Sequence, residues 1–331
     1  STNLQALTTT AITGLSTTAV SSLTTTALSV FSTTQLGALS TAQIQSLTAA
    51  QLNATTSTVL NALNAARLSS TQVSGLTTTT LNALTATQLS SFTSAEASAL
   101  SAADLSALTS TNLQSLSVTA LDGLTTTGLS GATTTALNNF TATQLASLST
   151  PQVQSLTVSQ LGAVTSTTLD TLNAASLSST QLGGLTTTTL NTLSTTQFGA
   201  LNASQLTALS AADVNALTTT NVQTLTTAAI GGLAASIMSG LTTATLSNMT
   251  AAQIGALSSG QVQGLSATQL NTVTTTVLQE LDVAQLSTTQ ITGLTATTIS
   301  GMTTTQGHSL TTTQVGVMNN TQINALQTLI G

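Results

Sequence analysis

The side chains able to do acid–base or ligand chemistry are few: one arginine (Arg67), one histidine (His308) and seven acids (Glu96, Asp104, Asp122, Asp170, Asp213, Glu280, Asp282) in 331 residues. There is no lysine and no cysteine. His308 follows Gly307 with no acid near it in sequence, and a lone imidazole cannot build a metal cluster. Serine and threonine hydroxyls abound, but a nucleophile needs a base beside it. With one histidine and no lysine, the sequence predicts no enzyme. No Gly-rich phosphate loop is present, and the acids never recur at the spacing of calcium ligands. No catalytic, cofactor-binding or metal-ligating residue is assigned.

What the chain has instead of a site is a repeat. An octapeptide of the form [Ser/Thr]-Thr-x-Gln-Leu-x-small-Leu occurs 38 times between Thr8 and Leu326, as in Ser40-Thr41-Ala42-Gln43-Ile44-Gln45-Ser46-Leu47. A fixed short period means a quasi-one-dimensional architecture, in which each unit contacts its neighbours. Three pentads interrupt the octads, at residues 64–68, 173–177 and 282–286, and their starts are 109 residues apart. Thirteen octads and one pentad make that longer period, so residues 1–331 read as one continuous solenoid of about three super-repeats. The pentads are expected to shift its phase. Arg67 and Asp170 or Asp282, in or near pentads, form a candidate contact between successive super-repeats. Yet the counterparts of Arg67 are Ser176 and Gln285, which argues for tolerance.

Each octad position has a physical reading. Position 1 is Ser or Thr in 35 of 38 octads, the exceptions being Asn202, Asn319 and Ala234. All but Ala are good helix N-caps. Position 4 is Gln in 18, with Glu96, Asp104 and Asp213 also there; Ser/Thr-x-x-Gln is the capping box. Position 8 of one octad and position 5 of the next are apolar at N′ and N4, the hydrophobic staple. Position 7 is small, which allows backbones to approach. Position 6, as at Gln45, Asn82 and Gln263, reads as exposed.

A straight helix cannot use this pattern, because eight residues rotate the apolar stripe by about 80° beyond two turns. The chain must bend at every position 1. The expectation is an all-α solenoid of capped helices of roughly six or seven residues. The rival is a β-solenoid, favoured by abundant Thr. Against it, positions 5 and 8 would point to opposite faces of a strand, and Pro151 suits a first helical turn better than an interior strand.

Charged residues are 2% and the net charge is −6, which excludes a basic footprint for nucleic acid or anionic lipid. No apolar run approaches the ~20 residues of a membrane span. The sequence begins inside an octad without Met, as a mature or excised segment would. An uncharged Ser/Thr/Asn/Gln exterior suits packing against copies of itself or carrying glycans on Ser/Thr.

The run STTQLGALSTAQIQSLTAAQL, from Ser32 to Leu52, resembles Ser/Thr/Ala/Leu/Gln-rich tracts of very large exported bacterial surface and biofilm proteins. The likeness extends over the whole chain. It implies an extracellular or cell-surface setting and an adhesin, stalk, sheath or filament role. It carries over no functional residue. Two function classes follow. One is a structural solenoid that associates with itself; the other is a binder of ice, glycan or another lattice through Thr/Ser arrays.

Overall fold

The computed structural model describes residues 2–331, and among them there is no strand. Of the 38 octads, 37 form a short α-helix, usually of four to six residues. That is slightly shorter than the sequence suggests, because position 1 stays outside the helix and position 8 often does. At Ser40, for example, φ is −69° and ψ 163°, an extended conformation that bends the chain while the Ser side chain accepts from the Gln43 N–H. The β-solenoid is excluded.

The exception proves the role of the cap. Ala234 has no side-chain oxygen, and its octad is the 3-10 helix Ala235–Gly240. The N–H of Ile237, which a capping oxygen would take, donates to the Ala234 carbonyl at 3.1 Å instead. The pentads are also 3-10 turns, at Ala65–Arg67, Ala174–Ser176 and Val283–Gln285. Asn64 and Asp282 cap two of them through the N–H two residues on.

The chain divides into two compact units, Ser1–Asn173 and Ala174–Gly331, the boundary falling inside the second pentad. Within each, a helix lies against helices three and four places away. In the first unit Thr17–Ser21 meets Thr41–Ser46, and Ala102–Ala107 meets both Thr126–Gly131 and Thr134–Asn139. In the second, Ser179–Gly184 meets Ala203–Leu206, which meets Thr227–Ile230. Three to four octads therefore complete one turn of each solenoid.

Helices this short do not survive alone in water; stacking holds them. Positions 5 and 8 point inward and are buried, as at Leu113, Leu116, Leu182 and Leu185. Each such leucine contributes roughly 1.5–3 kcal/mol. Gly307 is the one position 5 without a side chain, and the tail fills the space. The last helix, Asn320–Ile330, runs on for 11 residues, and a Cβ at Gly307 would lie 2.7 Å from Ile330 Cγ2.

A glycine at position 7 can lie against position 2 of the octad three places back, as Gly123 and Gly232 do. A Cβ added at Gly123 would fall on the Ser94 carbonyl oxygen, and one at Gly232 on that of Ala203. No helix of the described residues is long and apolar enough to cross a membrane.

Candidate functional site: the joint between turns

The chemistry of this fold is concentrated in the position-4 glutamine. It lies in the first turn of its helix, so its carbonyl oxygen can reach back to the N-cap. All 18 glutamines do so, as do Glu96, Asp104 and Asp213. The amide nitrogen does something the sequence does not announce. In at least sixteen of the glutamines it donates to backbone carbonyls about thirty residues earlier.

Gln43 shows the arrangement. Its Oε1 accepts from Ser40 N at 2.8 Å, while Nε2 donates to Ile12 O and Leu15 O, each at 2.8 Å. Those carbonyls belong to the end of the helix four octads back: Ile12 O already accepts from Leu15 N, and Leu15 O lies beyond the reach of the helix's own N–H groups. One side chain thus caps the start of its own helix and the end of another. The glutamines are buried, Gln43 to 2% exposure. Leaving such carbonyls without a donor costs about 1–3 kcal/mol.

The pentads count as full units in this arrangement. Gln72 and Gln88 reach back 28 and 25 residues, rather than 31 and 28, because a pentad intervenes. The bond still finds position 5 and position 8 of the fourth unit back. The three-residue slip that is plain in sequence is absorbed in space.

In seven octads whose position 4 is too short to reach the N-cap, the N–H finds a partner on another turn. The N–H groups of Thr77, Thr109, Thr165, Thr218, Thr242 and Thr295 donate to the Oδ1 of Asn53, Asn82, Asn138, Asn191, Asn215 and Asn271. Each of these Asn is at position 6, four units back, and the octads they serve carry Thr or Asn at position 4. Thr133 N donates likewise to Ser106 Oγ. Position 6 is therefore not a uniformly free surface. Asn82 joins two turns, its Nδ2 donating to Ala107 O at 2.8 Å, and Gln263 Nε2 donates to Gln285 O. The signal was in the sequence: Asn at position 6 pairs with a residue shorter than Gln at position 4 four units on. Asn61, which faces Gln88, departs from it.

His308 is exposed, with Nδ1 2.9 Å from Thr304 O in its own helix. Arg67 Nη1 donates to Leu39 O at 2.6 Å, so its charge caps a carbonyl at the end of the octad four units back. Asp282 accepts from Ala284 N and from Gln285 Nε2 within its own pentad, and Asp170 is exposed. Among the described residues no three His, Cys, Asp or Glu side chains come together as metal ligands would.

Two surface grooves, of about 270 and 240 Å³, recur at the 109-residue spacing. Phe140, Leu145, Thr165 and Thr168 line the first; Met249, Ile254, Thr274 and Val277 take the same places in the second. Both lie where position 4 is Thr or Val and no glutamine fills the joint. The super-repeat is thus a unit of surface shape as well as of sequence. No protein-family model matches the chain, and no curated protein matches it.

Proposed function

We propose that this chain is a non-enzymatic structural protein that forms or extends an extracellular filament, sheath or adhesin stalk by association with copies of itself. The carrying observation is the exterior. Only eight Asp, Glu and Arg residues serve 331 positions, so almost no charge repulsion keeps copies apart. The interior supports the same reading, because a repeated octad joined to its neighbours can be extended by further octads without redesign. The partner is the chain itself, with glycans on exposed Ser and Thr as a further decoration. The setting is the bacterial cell surface or the medium outside it.

Association through uncharged hydroxyl, amide and apolar groups is expected to be insensitive to salt, since screening acts on charges. Light scattering of the purified chain at rising concentration, in low and high salt, tests this. Growth in mass that is equal in both conditions supports the reading. A chain that stays monomeric in both overturns it, and thermal hysteresis in the same monomeric sample would point to a lattice binder.

A further inference from the structure

Glu96 occupies position 4 of the octad Thr93–Leu100, a glutamine position. It is 2% exposed, and its helix is Ser94–Ala97. Its Oε2 makes the usual capping box, accepting from Thr93 N at 2.7 Å and Thr93 Oγ1 at 3.0 Å. Its Oε1 is buried and has no partner. That atom stands where glutamine carries its donating nitrogen.

The super-repeat says what belongs there. The residues 109 and 218 places on are Gln205 and Gln314. Gln205 Nε2 donates to Ala174 O at 2.7 Å and Leu177 O at 2.8 Å. Gln314 Nε2 donates to Val283 O at 2.9 Å and Leu286 O at 2.7 Å. The carbonyls at the same places before Glu96 are those of Ala65 and Leu68, in the first pentad. An ionised carboxylate has only acceptors to offer them.

We propose that Glu96 is a proton-dependent latch: in the folded chain it is a neutral carboxylic acid whose Oε1–H donates to the Ala65 or Leu68 carbonyl, standing in for the glutamine amide, and its ionisation releases that joint. The proton comes from solvent and sits on Oε1 because Oε2 already accepts two hydrogen bonds. A cation would not serve as well, since donor and carbonyl in the equivalent joints are one hydrogen bond apart.

The surroundings supply no countercharge. The helices packed against Ser94–Ala97 are Ser70–Ser74 and Val118–Leu121, neither with a titratable residue. The charged side chains nearest them in the chain are Arg67, whose Nη1 is on Leu39 O, and Asp122, which is exposed at a C-cap. Burial raises the Glu96 pKa above the ordinary value, opposed by the two Thr93 hydrogen bonds. The latch is therefore complete below the ordinary glutamate range and is lost as pH rises through the folded-state pKa.

The test uses the full chain, the variant Glu96→Gln, and a ¹³C titration of the Glu96 carboxyl by nuclear magnetic resonance. The carboxyl should titrate above the ordinary glutamate range. Glu96→Gln should melt together with the parent in acid and at a higher temperature in alkali. Gln205→Glu, at the equivalent joint, should acquire the same fall in melting temperature with rising pH. A carboxyl midpoint at or below the ordinary range, or a Glu96→Gln that melts lower than the parent in alkali, overturns the proposal.

Discussion

The turn from Thr109 to Phe140 and the octads that follow it, Thr141 to Val164, are joined to their predecessors by opposite chemistry. In the later octads Gln144, Gln152 and Gln160 reach back to Leu113, Leu116, Leu121, Leu124, Leu129 and Ala132, capping three helix ends with six buried hydrogen bonds. In the earlier turn position 4 is Asn112, Ala120, Gly128 and Ala136, and three of these have no donor to send. Asn112 turns its amide onto Asn82 instead. Close approach takes the place of hydrogen bonds. Gly123 lies against the Ser94 backbone and Gly131 against the Ala102 methyl, at separations that would leave no room for a Cβ. The forward-reaching Asn82 and Ser106 supply the few polar links. A single octad frame thus supports a polar joint and a dry one. The choice rests on the side chain at position 4, since a close-packed glycine at position 7 also accompanies a glutamine, as at Gln261 and Gly264.

Filling the dry joint should do the most damage. Gly123→Ala puts its Cβ on a backbone oxygen that cannot swing away, and should destabilise the first unit by about 3 kcal/mol, the upper end for overpacking. Gly316→Ala is the control, since nothing lies within 4 Å of its Cβ position; its effect should stay within about 0.5 kcal/mol. Chemical denaturation of both variants makes the comparison, and equal midpoints would remove close packing as the basis of the dry joint.

Emptying the polar joint comes next. Gln152→Leu keeps the volume but strands Leu124 O and Ser149 N and takes the second donor from Leu121 O, and should cost about 2–3 kcal/mol. Faster amide exchange at Ser149 is the local signature. An unchanged denaturation midpoint would mean that water serves those groups as well as the amide does.

The cross-turn asparagines should matter less, because their bonds are at the surface. Asn82→Ala removes partners from Ala107 O and Thr109 N and should cost about 1 kcal/mol. A loss as large as that of Gln152→Leu would show that the dry joint depends on its polar rim rather than on its packing.

The dry turn of the second unit allows a gain. Thr218–Met249 is its counterpart, and Ala234 stands where Thr125 caps the Gly128 N–H at 3.0 Å. Ala234→Ser should stabilise by about 1 kcal/mol and convert Ala235–Gly240 from 3-10 to α-helix. Far-ultraviolet circular dichroism and the melting temperature check both, and no change in either would break the link between cap and helix type.

Local structure was legible from residues alone because its causes are local. A Ser or Thr every eighth residue caps the next helix within three residues, and apolar positions 5 and 8 can share a buried side only if the chain bends at each cap. The bends, the all-α class and the uncapped exception at Ala234 follow from those short-range rules. The tertiary structure decided how many octads make a turn, and with it the partners of every side chain that reaches beyond its own helix. Gln43 reads locally as a capping residue; that its other end closes the helix at Ile12 depends on a distance of 31 residues that no capping rule contains. Nor does the sequence phase reveal that a pentad fills the place of an octad, since the count that matters is of units stacked and not of residues passed. Glu96 shares both sides of this division. Its capping box is fixed within four residues of chain, but the pentad carbonyl that takes its proton in the proposed latch is brought to it only by the turn of the solenoid.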